Sequence, residues 1–569
     1  MKKTLLMMAM MGAVCAARAE FKTLGVMIDV SRGRVLKVDY LKTRLERMRK
    51  MGYNLFMLYT EDTFRLEGEP KWGYMRGGYT VEEMKDVKAF ADRIGMEMMP
   101  CIETLGHLEQ PFRWAEYADV RNGPATILVG DERAYALIDK MLAFWQEAVG
   151  STRIHLNMDE AGGFAGGKCK WLRGEKTRFD VFVRHLNRVN ALCAKRGFTE
   201  PWIAGDAAYR VASRTGEYYE PDTLATPELR ARIPQNVRLV YWDYYHDDPA
   251  HCEGMIDGHA SFRADPIVSC GIQNWFHFLV DREKTLATTA AMLAAARKKG
   301  CSTVTFTLWG DDGAYGIPEV DEECLFACAE LAAGRTAEPT EENCRRFREI
   351  TGHDYRSLVK LGEVTRHYAD EWPDMIHEPA MLYDDPLYCG NFRNYLARRP
   401  SESKAGRDFA ARGYYVSRLK GEAWRDDGAR VMEDHLRILR ECSDLKGIPA
   451  PATALVRTLA AKVAYERDVL AAWKAKDRAT LARLAEKDLP ELIRLMRAFD
   501  EVFRADWYRT SQPFGYERIQ KRNAAQIARL EEARRRLGDW LAGRAKTIEE
   551  LDETLRPFGL FQENGVVGW

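Results

Sequence analysis

"IHLNMDEAGG" (residues 154–163) decides how the chain is read. An apolar-alternating run ends on two adjacent carboxylates, Asp159 and Glu160, and the chain then turns through glycines. A strand that simply reaches the surface would expose such a pair to solvent, so its neighbours must decide whether it is an exception. Seven further runs carry the same β-branched or apolar signature: "TLGVMIDV" (23–30), "NLFMLYT" (54–60), "MEMMPCIE" (96–103), "PWIAGD" (201–206), "VRLVYWDYY" (237–245), "PIVSCGIQN" (266–274) and "STVTFTLWG" (302–310). Helical patterns fill 39–51, 80–94, 133–148, 177–195 and 283–299. Strands alternating with helices imply parallel β-α units, and eight of them before residue 334 match the count and size of a TIM barrel. The strands are heavily apolar, as when both faces are buried.

In a TIM barrel the active site lies at the C-terminal ends of the strands. Those ends read Asp29 and Arg32; Tyr59, Glu61 and Asp62; Glu103 and His107; Asp159 and Glu160; Asp206; Trp242, Asp243 and Tyr244; Gln273 and Trp275; Trp309, Asp311 and Asp312. Carboxylates and large aromatics dominate where a solvated surface would show Lys and Ser as often. Aromatic faces stack on the apolar face of a pyranose, while carboxylates and Arg bond its hydroxyls, so this rim predicts a carbohydrate pocket.

Beyond residue 334 the strand patterns vanish. Runs such as 457–503 and "YERIQKRNAAQIARLEEARRRLGDWLAG" (516–543) place apolar residues three and four apart, with mixed charge outside. The expected organisation is a signal peptide over 1–19, a barrel over 20–334 and an α-helical domain over 335–569, with a loop near "RNYLARRPSESKAG" (393–406). The leader reading rests on Lys2 and Lys3, an apolar stretch and Ala17-Arg18-Ala19, with cleavage before Glu20. It predicts an exported protein, periplasmic or extracellular, without a lipid anchor on Cys15.

Lys+Arg and Asp+Glu both total 85 across 569 residues, so no basic excess points to nucleic acid. No later run predicts a membrane-spanning helix. Twelve scattered cysteines, eleven of them beyond the leader, are no disulfide framework. Cys324 and Cys328 share a helical face and read as buried free thiols. His246 and His251, in "HDDPAHC" (246–252), read as a solvated loop rather than a metal site. No Gly-rich phosphate loop follows a strand, and neither cofactor nor metal is expected.

Several motifs together resemble glycoside hydrolase family 20, the β-N-acetylhexosaminidases. The family's His-x-Gly-x-Asp-Glu is similar to "HLNMDE" (155–160), with His155, Asp159 and Glu160 in place and Asn157 at the Gly position. There Asn157 would either crowd the pocket or hydrogen-bond within it. "GVMIDVSRGRV" (25–35) resembles the first strand with its sugar-binding Arg, here Arg32. "TLGHLEQP" (104–111) resembles the loop carrying His107, and "TLWGDDG" (307–313) the motif that gives Trp309 and Asp311. The small α/β domain that often precedes the family's barrel is not seen.

The resemblance implies an exo-acting, retaining enzyme that removes terminal N-acetylhexosamine by substrate-assisted catalysis. The substrate's acetamido oxygen attacks the anomeric carbon and forms an oxazolinium ion; Asp159 holds the acetamido nitrogen, and Glu160 is the acid/base. Trp242, Trp275 and Trp309 would wall the sugar, and Tyr244 would bond the acetamido oxygen. Arg32 and Asp311 would bond distal hydroxyls, and Glu103 and His107 would complete the binding site. Asp62 and Asp206 stand behind these. Two other readings remain. One is a barrel glycosidase with separated carboxylates, such as Glu103 and Glu160, cleaving sugars that lack the acetamido group. The other is an inactive secreted sugar-binding protein. The oligomeric state is not legible.

Overall fold

The computed structural model describes residues 21–174, 177–367, 375–376, 378–397 and 428–555. The leader, the Glu20 cleavage site and most of the loop expected at 393–406 lie outside the described residues.

Eight parallel strands close a barrel in sequential order, with β1 against β8. They are β1 (Thr23–Asp29), β2 (Leu55–Thr60), β3 (Glu97–Ile102), β4 (Arg153–His155), β5 (Glu200–Ala204), β6 (Arg238–Trp242), β7 (Ile267–Ile272) and β8 (Thr303–Leu308). Six fall within the quoted runs, and β4 and β5 each begin one residue before theirs. Side chains alternate between two buried environments, as the two-residue strand period requires. Met27, Leu55, Met57, Tyr59, Met99, Cys101, Trp202, Val240 and Ile267 fill the barrel interior. Their neighbours, among them Val26, Ile28, Phe56 and Leu58, pack outward on the helices. Helices Val38–Met51, Val81–Arg93, Glu132–Val149, Arg178–Arg196 and Arg282–Lys299 lie where the periodicity predicts them. Their starts are chemically fixed. Thr80 and Glu83 form a reciprocal capping box, and Asp131, Thr177 and Asp281 each accept a backbone N–H at an N-cap.

Among the described residues after helix Asp321–Ala332 the elements are mostly helices, including Gly428–Cys442, Ala450–Ala475, Leu489–Thr510 and Tyr516–Leu541. A two-residue antiparallel ladder, Arg366–His367 with Met375–Ile376, interrupts it. So short a pair is invisible to periodicity, because it holds a single alternation. Cys324 and Cys328 are buried and free. Among the described residues no helix is long and apolar enough to cross a membrane.

The helical region grips the loop after β1. The Gln512 N–H donates to the Val35 carbonyl (2.7 Å) and the Lys37 N–H to that of Thr510 (2.9 Å). Gly515 has φ 92°, and a Cβ there would come within 1.7 Å of the Gly33 carbonyl oxygen. Only glycine allows that approach, one residue from Arg32.

Candidate active site

Strand β4 stops at His155, and the next five residues do not continue the pleat. Asn157 (φ 52°), Met158 (φ 72°) and Glu160 (φ 43°) are all left-handed, as is His107 (φ 50°) on the facing loop. Each such non-glycine residue costs on the order of 1 kcal/mol, and such strain clusters at functional sites. It frees Asp159 and Glu160 from the alternation that would send adjacent side chains to opposite faces. The Asp159 side chain is 16% exposed and that of Glu160 is 56% exposed.

Asn157 is the most tolerant choice for its left-handed position after glycine. Its side chain is turned toward β3, donating to the Ile102 carbonyl (3.0 Å) and approaching Cys101 Sγ (3.4 Å). Its N–H donates to His155 Nδ1 (3.0 Å), and burial pulls the His155 imidazole down to about 4, so it is neutral at pH 7.

The two acids are driven apart electrostatically. Burial pushes the Asp159 carboxyl up, but the His107 imidazolium, 3.6 Å from Asp159 Oδ2, outweighs this and holds it at about 2. Asp159 in turn raises His107 to about 9 against the effect of burial. Glu160 is raised by burial and then by the Asp159 charge. Its N–H donates to Asp206 Oδ2 (3.3 Å), and burial followed by the charge of Asp159 pushes Asp206 to about 7. Asp159 Oδ1 and Glu103 Oε2 are buried without an N–H donor, and the two carboxyls hydrogen-bond to each other, which lowers Asp159 and raises Glu103.

A cavity of about 290 Å³ opens on this pair. Of the sequence-predicted residues, Arg32, His107, Asp159, Glu160, Trp242, Tyr244, Trp275, Trp309 and Asp311 line it. Glu103 does not. It is fully buried behind the wall, where the Tyr59 hydroxyl donates to its Oε1 (3.2 Å). Burial, then the charge of Asp159, raises its carboxyl well above the ordinary range, which favours its protonated form.

At the opposite end Arg32 is shared among carboxylates. Its Nε donates to Glu61 (3.0 Å), its Nη1 to Asp311 and to Asp29 (3.4 Å), and its Nη2 to the Tyr59 hydroxyl (3.3 Å). Asp62 bonds Arg76 (2.7 Å), which donates on to the Ser31 carbonyl and so braces the Arg32 loop. The aromatic wall joins Trp242 to Tyr244 (centroids 5.5 Å) and Tyr244 to Trp275 (5.4 Å). Gly271 on β7 makes room for it, since a Cβ there would lie 2.7 Å from Tyr244.

Tyr245 and Phe276 also line the cavity, though sequence reasoning passed over both. Strict alternation places them opposite Tyr244 and Trp275. The strands have already ended, at Trp242 and Ile272, and Phe276 sits at φ 67°. An aromatic doublet just past a strand end was the available signal.

The expectation of a solvated loop at 246–252 is corrected. His246 is buried, with Nδ1 2.8 Å from Asp243 Oδ2, and its ring stacks on His251 at 3.8 Å and 14°. Asp243 also accepts from the Tyr241 hydroxyl (2.7 Å) and the Tyr245 N–H (2.9 Å), fixing the turn that carries Tyr244.

Two sets of residues bring metal-ligand atoms within 4.8 Å of one another: Asp243, His246 and His251, and Glu103, His107 and Asp159. In the first, near-parallel stacked imidazoles aim their in-plane lone pairs past each other rather than at one ion. In the second, His107 would have to give up the proton through which it pairs with Asp159 before it could coordinate an ion.

A TIM barrel with a carboxylate-and-aromatic pocket at its C-terminal rim is the framework these features define. Residues 432–566 match the family model described as the Glycoside Hydrolase 20C C-terminal domain. The chain is similar to Hexosaminidase D of Homo sapiens, 25% identical over 228 residues, 39% of this chain and 44% of that protein. It is similar also to Hexosaminidase D of Bos taurus, 25% identical over 233 residues, 40% of this chain and 64% of that one. The matched region thus spans less than two thirds of either relative. Solved structures with a similar course include the chitobiase of Flavobacterium johnsoniae (15% identity, TM-score 0.44, 82% of this chain and 75% of that one). Another is the β-N-acetylhexosaminidase of Bacteroides fragilis (17% identity, TM-score 0.42, 56% of this chain and 68% of that one).

Proposed function

We propose that the chain is an exo-acting, retaining β-N-acetylhexosaminidase that hydrolyses terminal non-reducing GlcNAc or GalNAc from glycans through an oxazolinium intermediate. The observation that carries the reading is the divergence of two adjacent acids. Asp159 is buried and held ionised by His107, and Glu160 is exposed at the rim with its pKa raised.

The Asp159 carboxylate, which lines the cavity and is braced from behind by the Glu103 carboxyl, is the acceptor for the acetamido N–H. With that group oriented, its carbonyl oxygen bonds to the anomeric carbon as the glycosidic C–O bond breaks. Glu160 gives its proton to the departing oxygen. Water then attacks the same carbon, Glu160 takes a proton from it, and the bond to the acetamido oxygen breaks, so the configuration is retained. General acid–base help of this kind supplies ~10²–10⁴-fold. The aromatic wall of Trp242, Tyr244 and Trp275 encloses the sugar face and acetamido methyl, while Arg32 and Asp311 bond distal hydroxyls and close the far end. Protonated Glu103 acts from behind the wall, positioning Asp159 rather than touching substrate.

The reading with separated carboxylates draws little support, because Glu103 is sealed from the cavity and pinned by Tyr59. Turnover of an aryl β-N-acetylglucosaminide alone supports the proposal. Equal turnover of the matching β-glucoside would favour a two-carboxylate mechanism, and turnover of neither a binding protein. Export through residues 1–19 belongs to the same proposal and is tested by fractionating cells that express the full chain with and without that segment.

A further inference from the structure

Asp206 is a buried acid with no part in the chemistry of Asp159 and Glu160. It follows β5, whose last residue still pairs with the turn after β4: the Ala204 N–H donates to the Asn157 carbonyl (2.9 Å). That register brings Asp206 behind the two acids. The residue is 2% exposed and does not line the cavity. Its Oδ1 is buried with no hydrogen-bond partner. Its Oδ2 accepts from the Glu160 N–H (3.3 Å), and Arg210 Nε stands 3.9 Å from the same oxygen. Asp206 opens helix Asp206–Ala212, a position where a carboxylate commonly faces the free N–H groups of its own helix. Here, among the described residues, the N–H it accepts is that of Glu160.

Glu160 needs such a partner. Strand β4 ends at His155, so no ladder takes the Glu160 N–H, and at φ 43° its backbone lies in a region that glutamate rarely adopts. That turn lifts the Glu160 carboxyl over the rim while Asp159 stays below. It is fastened on both flanks, since Arg178 donates to the next carbonyl, that of Ala161 (3.1 Å). Gly106 presses on it from the β3 loop, where a Cβ would come within 3.0 Å of the Asp159 carbonyl oxygen. Of these contacts, the one made to Glu160 itself is that of Asp206. Holding an acid there is costly, for burial and then the charge of Asp159 push Asp206 to about 7. An apolar residue would fill the same space without that cost.

We propose that Asp206 is a positioning residue that aims the Glu160 carboxyl at the departing oxygen by holding the Glu160 N–H in the left-handed turn. The inference rests on Glu160 being the acid. The bond needs an acceptor oxygen, which Asn also offers and Ala does not.

Single-turnover first-step rates are measured for Asp206→Ala, Asp206→Asn and Glu160→Gln on a disaccharide and on an activated aryl β-N-acetylglucosaminide, each at its own pH optimum. Asp206→Ala should lose roughly ten- to a hundredfold on the disaccharide, as a misplaced reacting group does, and far less on the aryl substrate, which needs no proton. Asp206→Asn should recover most of the loss. Affinity for a thiazoline mimic of the oxazolinium ion, which reads Asp159, should stay near that of wild type in both. If Asp206→Ala does not fold, Asp206→Leu, which fills the space without an acceptor, takes its place. No loss, equal losses on both substrates, or an Asp206→Asn as impaired as Asp206→Ala overturns the proposal and leaves Asp206 a structural acid. If Glu160→Gln shows the leaving-group dependence and Asp206→Ala does not, this inference falls alone. If Glu160→Gln itself shows none, the assignment of Glu160 as the acid falls with it.

Discussion

On the β1–β2–β8 side of the rim, Arg32 is divided among Asp29, Glu61 and Asp311, and Tyr59 closes the set. On the β3–β4 side, the buried carboxyls of Asp159 and Glu103 share a hydrogen bond with each other, and His107, Asn157, Met158 and Glu160 are left-handed. One side satisfies its charges internally and needs no substrate to complete it. The other, the unpaired side, has one imidazolium, His107, between Asp159 and Glu160, on a strained backbone. Pairing fixes a surface that recognises hydroxyls, whereas a carboxylate kept ionised by a single imidazolium beside a raised one is poised to handle a proton and a developing cation. Placing recognition on the paired side and chemistry on the unpaired side gives the comparison consequences that can be measured.

The largest effect is expected on the unpaired side. Asp159→Asn should lower kcat by about 10²–10⁴-fold whatever group departs, because it acts on the acetamido group. Glu160→Gln should lose a comparable factor on a disaccharide but far less in the first step with an activated aryl leaving group, which needs no proton. Single-turnover rates for both variants on both substrates check this. Identical leaving-group dependence would erase the distinction between the acids.

The paired side should respond in KM, and its two partners should differ in stability. Asp311→Ala, partly exposed, should raise KM roughly ten- to a hundredfold through one lost charged hydrogen bond. Arg32→Ala should match that and also unfold more easily, by about 3–5 kcal/mol, because it leaves Asp29 and Glu61 buried without their cation. Glu61, already pushed to about 7 by burial, recovers part of this by taking up a proton. Urea melts of the two variants separate them; equal stability would mean that Arg32 is not the hub of the set.

The paired side was also the more legible in sequence. Arg32 and Asp311 end apolar runs, so strand period and barrel topology place them on one rim. The β4 end was legible as composition, through its Asp-Glu pair, but not as geometry. Its left-handed residues follow from how the loop after β3 packs on it, a long-range contact with no local period. Glu103 misled for the same reason, since a strand-end carboxylate looks alike whether it faces the cavity or Tyr59. The buried His246–His251 stack likewise depends on Asp243 folding back beneath its own strand end. The eight strands were legible throughout because burial on both faces leaves an apolar run.

A smaller effect, in pH rather than rate, tests how the unpaired side is tuned. Activity requires Asp159 ionised and Glu160 protonated, so kcat/KM falls below the pKa of the first and above that of the second. The His107 cation lowers both. In His107→Gln the acid limb should rise from about 2 toward the ordinary carboxylate range, and the alkaline limb should also move up. A pH profile in which only one limb moves, or either moves down, would show that His107 is not the shared cation.

The smallest effect should come from Asn157→Gly. At φ 52° glycine relieves on the order of 1 kcal/mol of backbone strain. Against this, the bond from Asn157 Nδ2 to the Ile102 carbonyl is lost, worth about 0.5–1.5 kcal/mol, and the unfolded chain gains freedom. The terms nearly cancel, so stability should change by no more than about 1 kcal/mol, read from the urea midpoint. Activity should stay within several-fold of wild type, because the Asn157 amide is spent on β3 and the turn it occupies is one that glycine adopts freely. A tenfold or greater loss of kcat/KM at unchanged stability would mean that Asn157 itself touches the sugar. The strained side of the rim would then contribute to recognition as well as chemistry, and the division between the two sides would have to be redrawn at this residue.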